Sequence, residues 1–241
     1  MLLFQPEEVA ETALYKERSF CRIMQKNLQT EAIVSIKTVI FDFGNVISKT
    51  QPNTCFYDMA KLTGIPAEVF LQAMGQARSA FDLGEIKAAE LYSRILKANG
   101  YTAESEDMAL CQKLGDMDLS SWYAINEQVS DWALALQKQG YKLGILSNMP
   151  GEFLERYRTG IPPFVKADYA VFSCDIHIIK PDERIYKLAL QGLGVKPEEA
   201  VFFDDLAKNI EAAKALGING ILWENFNQAK KEFEKLAAEN L

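Results

Sequence analysis

The chain has 241 residues, 49% of them hydrophobic, with a formal net charge of −7 and a sequence pI near 5.0. That length supports one large core with an insert, and the acidic balance argues against nucleic acid, whose phosphates are held by clustered Lys and Arg. The cysteines at 21, 55, 111 and 174 form no CxxC pair and accompany a single histidine, which argues against structural zinc or a disulfide scaffold.

Reduced thiols fit a cytoplasmic protein. No run reaches the ~18 apolar residues of a membrane span. The opening Met1-Leu2-Leu3-Phe4-Gln5-Pro6 lacks the basic and apolar regions of a signal peptide.

Residues 7–30 place Phe20, Ile23, Met24 and Leu28 at helical spacing, which predicts an amphipathic helix that carries no motif. The run Thr38-Val39-Ile40-Phe41-Asp42-Phe43-Gly44-Asn45 predicts a buried strand over 37–43. It delivers Asp42 to the carboxyl edge of a sheet, where open α/β sheets bind ligands. From 54 to 127 only helical patterns occur, over 54–63, 67–81, 87–99 and 103–114, separated by breakers such as Gly64-Ile65-Pro66 and Leu83-Gly84. Such a stretch after one strand reads as an inserted helical subdomain.

Alternation then resumes. A helix over 122–139 precedes a strand over 141–146 that ends at Ser147-Asn148, and a short strand follows over 169–172. A helix over 182–193 starts behind Pro181, and a strand over 201–203 runs into Asp204-Asp205. A helix over 206–216, a strand over 218–222 and a helix over 227–239 complete the pattern. Strands alternating with helices of this length predict an α/β fold with a parallel sheet. The expected division is an N-terminal extension over 1–34, a parallel-sheet core over 35–53 and 128–241, and an inserted helical subdomain over 54–127.

Four stations follow in order beyond apolar strands or on loops into helices: Asp42, Ser147, Lys180, and Asp204 with Asp205. The three carboxylates repel unless cations balance them. Lys180 supplies one charge and a divalent ion the other two. Oxygen ligands without His or Cys select a hard ion, and Mg²⁺ is the usual choice for phosphate chemistry. Hydrogen-bond donors for a phosphate dianion are the Ser147 hydroxyl, the Asn148 N–H and the N–H groups after Asp42, on Phe43 and Gly44. Asp42 can act as the nucleophile, giving an aspartyl-phosphate that water hydrolyses.

These stations resemble the haloacid dehalogenase-like (HAD) superfamily. The carrying stretches are Val39-Ile40-Phe41-Asp42-Phe43-Gly44-Asn45-Val46-Ile47, Ile145-Leu146-Ser147-Asn148, Lys180-Pro181-Asp182-Glu183-Arg184-Ile185-Tyr186, and Phe202-Phe203-Asp204-Asp205 with Asn209. The resemblance implies a Rossmann-like core with a helical cap inserted after the first motif. It also implies Asp42 as nucleophile, the Gly44 carbonyl and Asp205 as metal ligands, and Lys180 as charge clamp.

Phosphatases of the superfamily usually carry a second Asp two residues after the nucleophile, as acid and base. Here that position is Gly44. The Asp-x-Gly-Asn-Val form resembles a subgroup that includes sugar-phosphate phosphatases. A good leaving group, such as an anomeric sugar oxygen, needs little help from an acid. The expected activity is therefore Mg²⁺-dependent hydrolysis of a small phosphorylated metabolite by a monomer or homodimer. The rivals are a catalytically weakened phosphate-binding or scaffold protein and a metal-independent dehalogenase, which the Asp204-Asp205 pair disfavours.

Other residues have two readings each. His177 sits three residues before Lys180 and either supplies the proton that Gly44 lacks or is a partly exposed loop histidine. Asp82 and Glu85 either face the site from the cap or serve as helix-start charges. Trp122 and Tyr123 are expected to pack the cap hinge, and Asn209 to brace the last motif's loop.

Overall fold

Four apolar or β-branched residues with full burial, Thr38–Phe41, form the central strand β1. The computed structural model describes residues 35–100 and 108–239. The helix expected over 7–30 and the start of the one expected over 103–114 lie outside the described residues. β1 stops at Phe41, so Asp42 stands just past the strand, and the chain turns at Phe43–Ile47 with Asn45 in the left-handed region at φ 57°.

Four helices follow: α1 (Thr54–Thr63), α2 (Ala67–Asp82), α3 (Ala88–Ala98) and α4 (Met108–Ser121). The chain continues with α5 (Glu127–Lys138), β2 (Lys142–Ser147), α6 (Gly151–Tyr157), α7 (Pro162–Lys166), β3 (Tyr169–Phe172) and α8 (Ser173–Ile176). It ends with α9 (Glu183–Leu193), β4 (Ala200–Asp204), α10 (Ala207–Ala215), β5 (Asn219–Leu222) and α11 (Phe226–Glu239). Sequence periodicity ends one helix at 114 and begins the next at 122, whereas α4 continues to Ser121. The chain in fact leaves α4 at Ser121 and re-enters a helix only at Glu127, and Ser48 and Ile125 form an antiparallel bridge between the two linkers.

The five strands are all parallel, in the order β3-β2-β1-β4-β5. The strand order reverses at β1 and β4, so a crevice opens outside their carboxyl ends. Asp42 and Asp204 leave the sheet side by side there, because Phe41 is in register with Phe203.

Side chains alternate between the two faces. Val39, Phe41, Val201 and Phe203 join one apolar cluster, and Ile40 and Phe202 join the other. Phe41 stacks on Phe203 at 4.6 Å, and Trp132 of α5 meets both edge-on. Burying each such ring stabilises the fold by roughly 1.5–3 kcal/mol, which holds the strand ends in place for the acids that follow.

Contacts tie the α1–α4 segment to the strand-bearing part. The Ser173 hydroxyl donates to the Asp82 carbonyl, His177 Nδ1 contacts the Leu83 carbonyl at 2.7 Å, and the Ala88 N–H donates to Glu152. Arg156 pairs with Asp116 at 2.6 Å. On the linker side, Lys49 N–H donates to the Ala124 carbonyl and Asn126 N–H to the Ile47 carbonyl.

Candidate active site

Lys180 is the hub of the crevice. The residue is 2% exposed, and its ammonium lies 2.9 Å from Asp42 Oδ1, 2.6 Å from Asp204 Oδ2 and 3.0 Å from the Leu146 carbonyl. Burial works against its charge, but Asp42 and Asp204 outweigh burial and raise its pKa, so it stays an ammonium. Asn148 holds the Lys180 backbone from both sides: its Oδ1 accepts from the Lys180 N–H at 2.8 Å and its Nδ2 donates to the Lys180 carbonyl at 3.2 Å. The end of β2 thereby fixes the loop that carries the lysine.

Asp42 is buried, and burial pushes its carboxyl up to about 7. Lys180 and the Ser147 hydroxyl oppose that rise, and Asp204 adds to it. The Phe43 N–H donates to Asp42 Oδ1 at 2.7 Å. This amide, expected to meet phosphate, is engaged by the carboxylate one residue before it, which lies close to it where the strand ends. Burial also raises the pKa of Asp205, and a hydrogen bond from Asn45 Nδ2 at 2.8 Å opposes this.

Asp204 is fully buried and accepts from the Leu206 N–H, Asn209 Nδ2 and Lys180. It orients the lysine from behind, and Asn209 braces it, as expected for that loop. Ser147 is likewise only 1% exposed.

Asp42, Asp204 and Asp205 offer carboxylate oxygens within 4.8 Å of one another. With all three carboxylates ionised against one ammonium the cluster stands at −2, the charge a divalent cation cancels. Two amide oxygens, Asn45 Oδ1 and Asn209 Oδ1, are buried beside it without a hydrogen-bond partner among the described residues. Unsatisfied hard oxygens next to paired carboxylates are the donor set that suits a hard cation.

The cleft encloses about 510 Å³. Asp42, Gly44, Asn148, Lys180 and Asp205 line its strand-edge side, and Gln51, Met74, Arg78, Asp82 and Trp122 line the opposite wall. A family profile for haloacid dehalogenase-like hydrolases matches residues 36–217.

The chain belongs to that family.

This haloacid dehalogenase-like hydrolase is 31% identical over 127 residues to bifunctional epoxide hydrolase 2 of Rattus norvegicus, which covers 47% of this chain and 21% of that protein. The matched region thus spans about a fifth of that relative's length. It is 23% identical over 205 residues to phosphatase MT3486 of Mycobacterium tuberculosis, which covers 82% of this chain and 91% of that protein.

A haloacid dehalogenase family enzyme of Bacteroides thetaiotaomicron superposes with a TM-score of 0.65 at 20% identity, over 83% of this chain and 98% of that one. The same enzyme in complex with magnesium and inorganic phosphate gives 0.60 at 20% identity, over 78% and 94%. At that identity the likeness shows the fold.

The opposite wall of this hydrolase holds residues that sequence reasoning missed. Arg78 of α2 bonds Asp82 at 2.9 Å and Asp118 of α4 at 3.2 Å, and its guanidinium lies over the Phe81 and Trp122 rings. Gln51 donates to Asp118 and to Ser121. Asp82 stands at the end of α2, not at a helix start, and lines the cleft, whereas Glu85 does not. Trp122, expected only as packing, lines the cleft opposite Gly44. His177 is exposed and turned to the Leu83 carbonyl, away from the cleft.

Proposed function

We propose that the chain is a Mg²⁺-dependent phosphatase of small phosphomonoesters, sugar phosphates among them, that works through an aspartyl-phosphate on Asp42. The observation that carries this reading is the Asp42–Lys180–Asp204 array beside Asp205, a cluster at −2 at the switch point of the sheet. The similarity over 82% of this chain to a protein named a phosphatase, and the fold shared with an enzyme solved with magnesium and inorganic phosphate, support it.

In this reading the core comprises 35–53 and 128–241, and 54–127 form a cap over the cleft. Asp42, Asp205 and the Gly44 carbonyl would hold the ion, with Asp204 behind them. When bound, Mg²⁺ would offset the negative charge of the carboxylates and of the phosphate between them. Lys180 opposes the protonation of Asp42 and draws in the phosphate, and the Asn148 and Gly44 N–H groups with Ser147 orient its oxygens. Asp42 attacks phosphorus, the leaving oxygen departs, and water then releases phosphate from the aspartyl ester. The cap wall keeps bulk water from the ester.

Phosphate release from p-nitrophenyl phosphate, measured with Mg²⁺ and with excess EDTA, tests the reading. Turnover that EDTA abolishes and Mg²⁺ restores supports it. Full activity in EDTA, or none with Mg²⁺, overturns it.

A further inference from the structure

The wall opposite the carboxylates has its own pattern of committed and uncommitted atoms. Arg78 is fixed by four neighbours: Asp82, Asp118 and the rings of Phe81 and Trp122. Its single positive charge faces two carboxylates, so this wall is net negative by one. Asp82 gives Oδ1 to Arg78, and its Oδ2 has no hydrogen-bond partner among the described residues. Its position is further set by Ser173, which bonds its carbonyl.

Gln51 directs its Nε2 to Asp118 at 3.0 Å and to Ser121 at 2.7 Å. The amide oxygen is what it has left for a ligand. Both residues line the same cleft as Asp42 and Lys180. Around them the wall is mostly apolar, with Leu71, Met74, Leu119 and the Trp122 ring, whose Nε1 is buried without a hydrogen-bond partner among the described residues, and Lys208 also lines the cleft.

A leaving group seated between Asp82 and Gln51 meets hydrogen-bond acceptors and the net negative charge of the Arg78–Asp82–Asp118 set. Hydroxyl groups satisfy acceptors. A second carboxylate or phosphate has no proton to donate at neutral pH and is repelled by the excess charge. Resting on the phosphatase reading above, we propose that Asp82 and Gln51, held by Arg78 and Asp118, are specificity-determining residues. They select phosphomonoesters whose leaving group carries hydroxyls and reject those that carry a second anion.

The experiment compares kcat/KM for a hexose monophosphate, the matching hexose bisphosphate and the matching phospho-sugar acid, with p-nitrophenyl phosphate as reporter. Wild type is expected to prefer the monophosphate by at least about tenfold, since sites that bond a substrate hydroxyl reject analogues lacking it. Asp82→Asn is expected to shrink that preference to about threefold or less, mainly through a lower KM for the two anionic substrates. Gln51→Leu is expected to lower kcat/KM for the monophosphate and narrow the ratio from the other side; it carries the test if Asp82→Asn does not fold. Equal use of all three substrates by wild type, or a ratio that neither variant moves, overturns the proposal. Turnover of p-nitrophenyl phosphate with a flat preference sinks this inference alone. No turnover of any ester by wild type sinks the phosphatase reading and this inference with it.

Discussion

The Trp122 ring lies 3.4 Å from the point where a Cβ on Gly44 would stand. The position at which an acid would protonate the leaving group is thus walled by indole. A methyl group fits there, but a carboxylate does not without moving Trp122. His177, the sequence's other candidate acid, is turned to the Leu83 carbonyl.

Turnover should therefore depend steeply on the leaving group. Aryl and anomeric phosphates are expected to react much faster than simple alkyl phosphates, by about 10² or more where general acid catalysis is missing. Gly44→Ala should stay close to wild type. Gly44→Asp should lower the melting temperature, with a loss of about 1–3 kcal/mol from overpacking, and should leave the slope steep. A series of phosphate esters of graded leaving-group pKa checks this. A flat series, with chemistry rate-limiting, would mean that another acid acts.

Asp42→Asn should separate chemistry from stability. It removes the attacking charge and is expected to cut turnover by about 10³ or more. It also removes a carboxylate that burial disfavours, so in EDTA near neutral pH the variant should melt no lower than wild type. Activity within tenfold of wild type would make Asp42 a structural residue.

The same burial gives a pH dependence. The folded chain holds the Asp42 proton with a pKa near 7 against 3.8 ordinarily. Metal-free protein therefore keeps this contribution to stability fully below about pH 4 and loses it as the pH climbs to about 7. A divalent ion takes the proton's place, so Mg²⁺ should raise the melting temperature more at about pH 8 than at about pH 5. Thermal melts in EDTA and in Mg²⁺ at both pH values check the sign. A larger Mg²⁺ effect at the acidic pH would refute it.

Lys180→Met leaves Asp42 and Asp204 without their cation. The expected loss is about 3–5 kcal/mol of stability at neutral pH, the usual result of stranding a buried charge. The deficit should shrink on acidification, as the carboxylates take up protons. Denaturant unfolding at two pH values measures it, and a pH-independent deficit would point to lost packing alone.

The strand-edge half of the site was legible in the sequence for a physical reason. An apolar run that ends in Asp or Ser announces both a buried strand and what lies at its end, so Asp42, Ser147, Asp204 and Asp205 could be placed before any coordinates. Lys180 was found by its order among them. The strand ends were read less well. The first was carried to residue 43, although Asp42 already bonds the next amide.

The opposite wall was not legible. Arg78 and Asp118 sit forty residues apart on helices whose charged positions look like solvated faces. Only the folding of the helical segment as a whole brings them together as an ion pair. Trp122 escaped for a similar reason: its apolar character fits a hinge, and its contact with Gly44 depends on where the linker runs. The short helices α6 and α7 fell in a stretch read as neither strand nor helix, since each has seven residues or fewer and shows no full period.

The bonds from Ser173, His177 and Glu152 all land between Asp82 and Ala88, while the paired linkers grip the other flank through Ser48 and Ile125. A segment clasped on two opposite sides cannot swing freely about either one. Exchange through the cleft is then expected to follow how often the clasp at residues 82–88 lets go. Loosening it, by Ser173→Ala for example, is expected to speed that exchange without touching the Asp42–Lys180–Asp204 array.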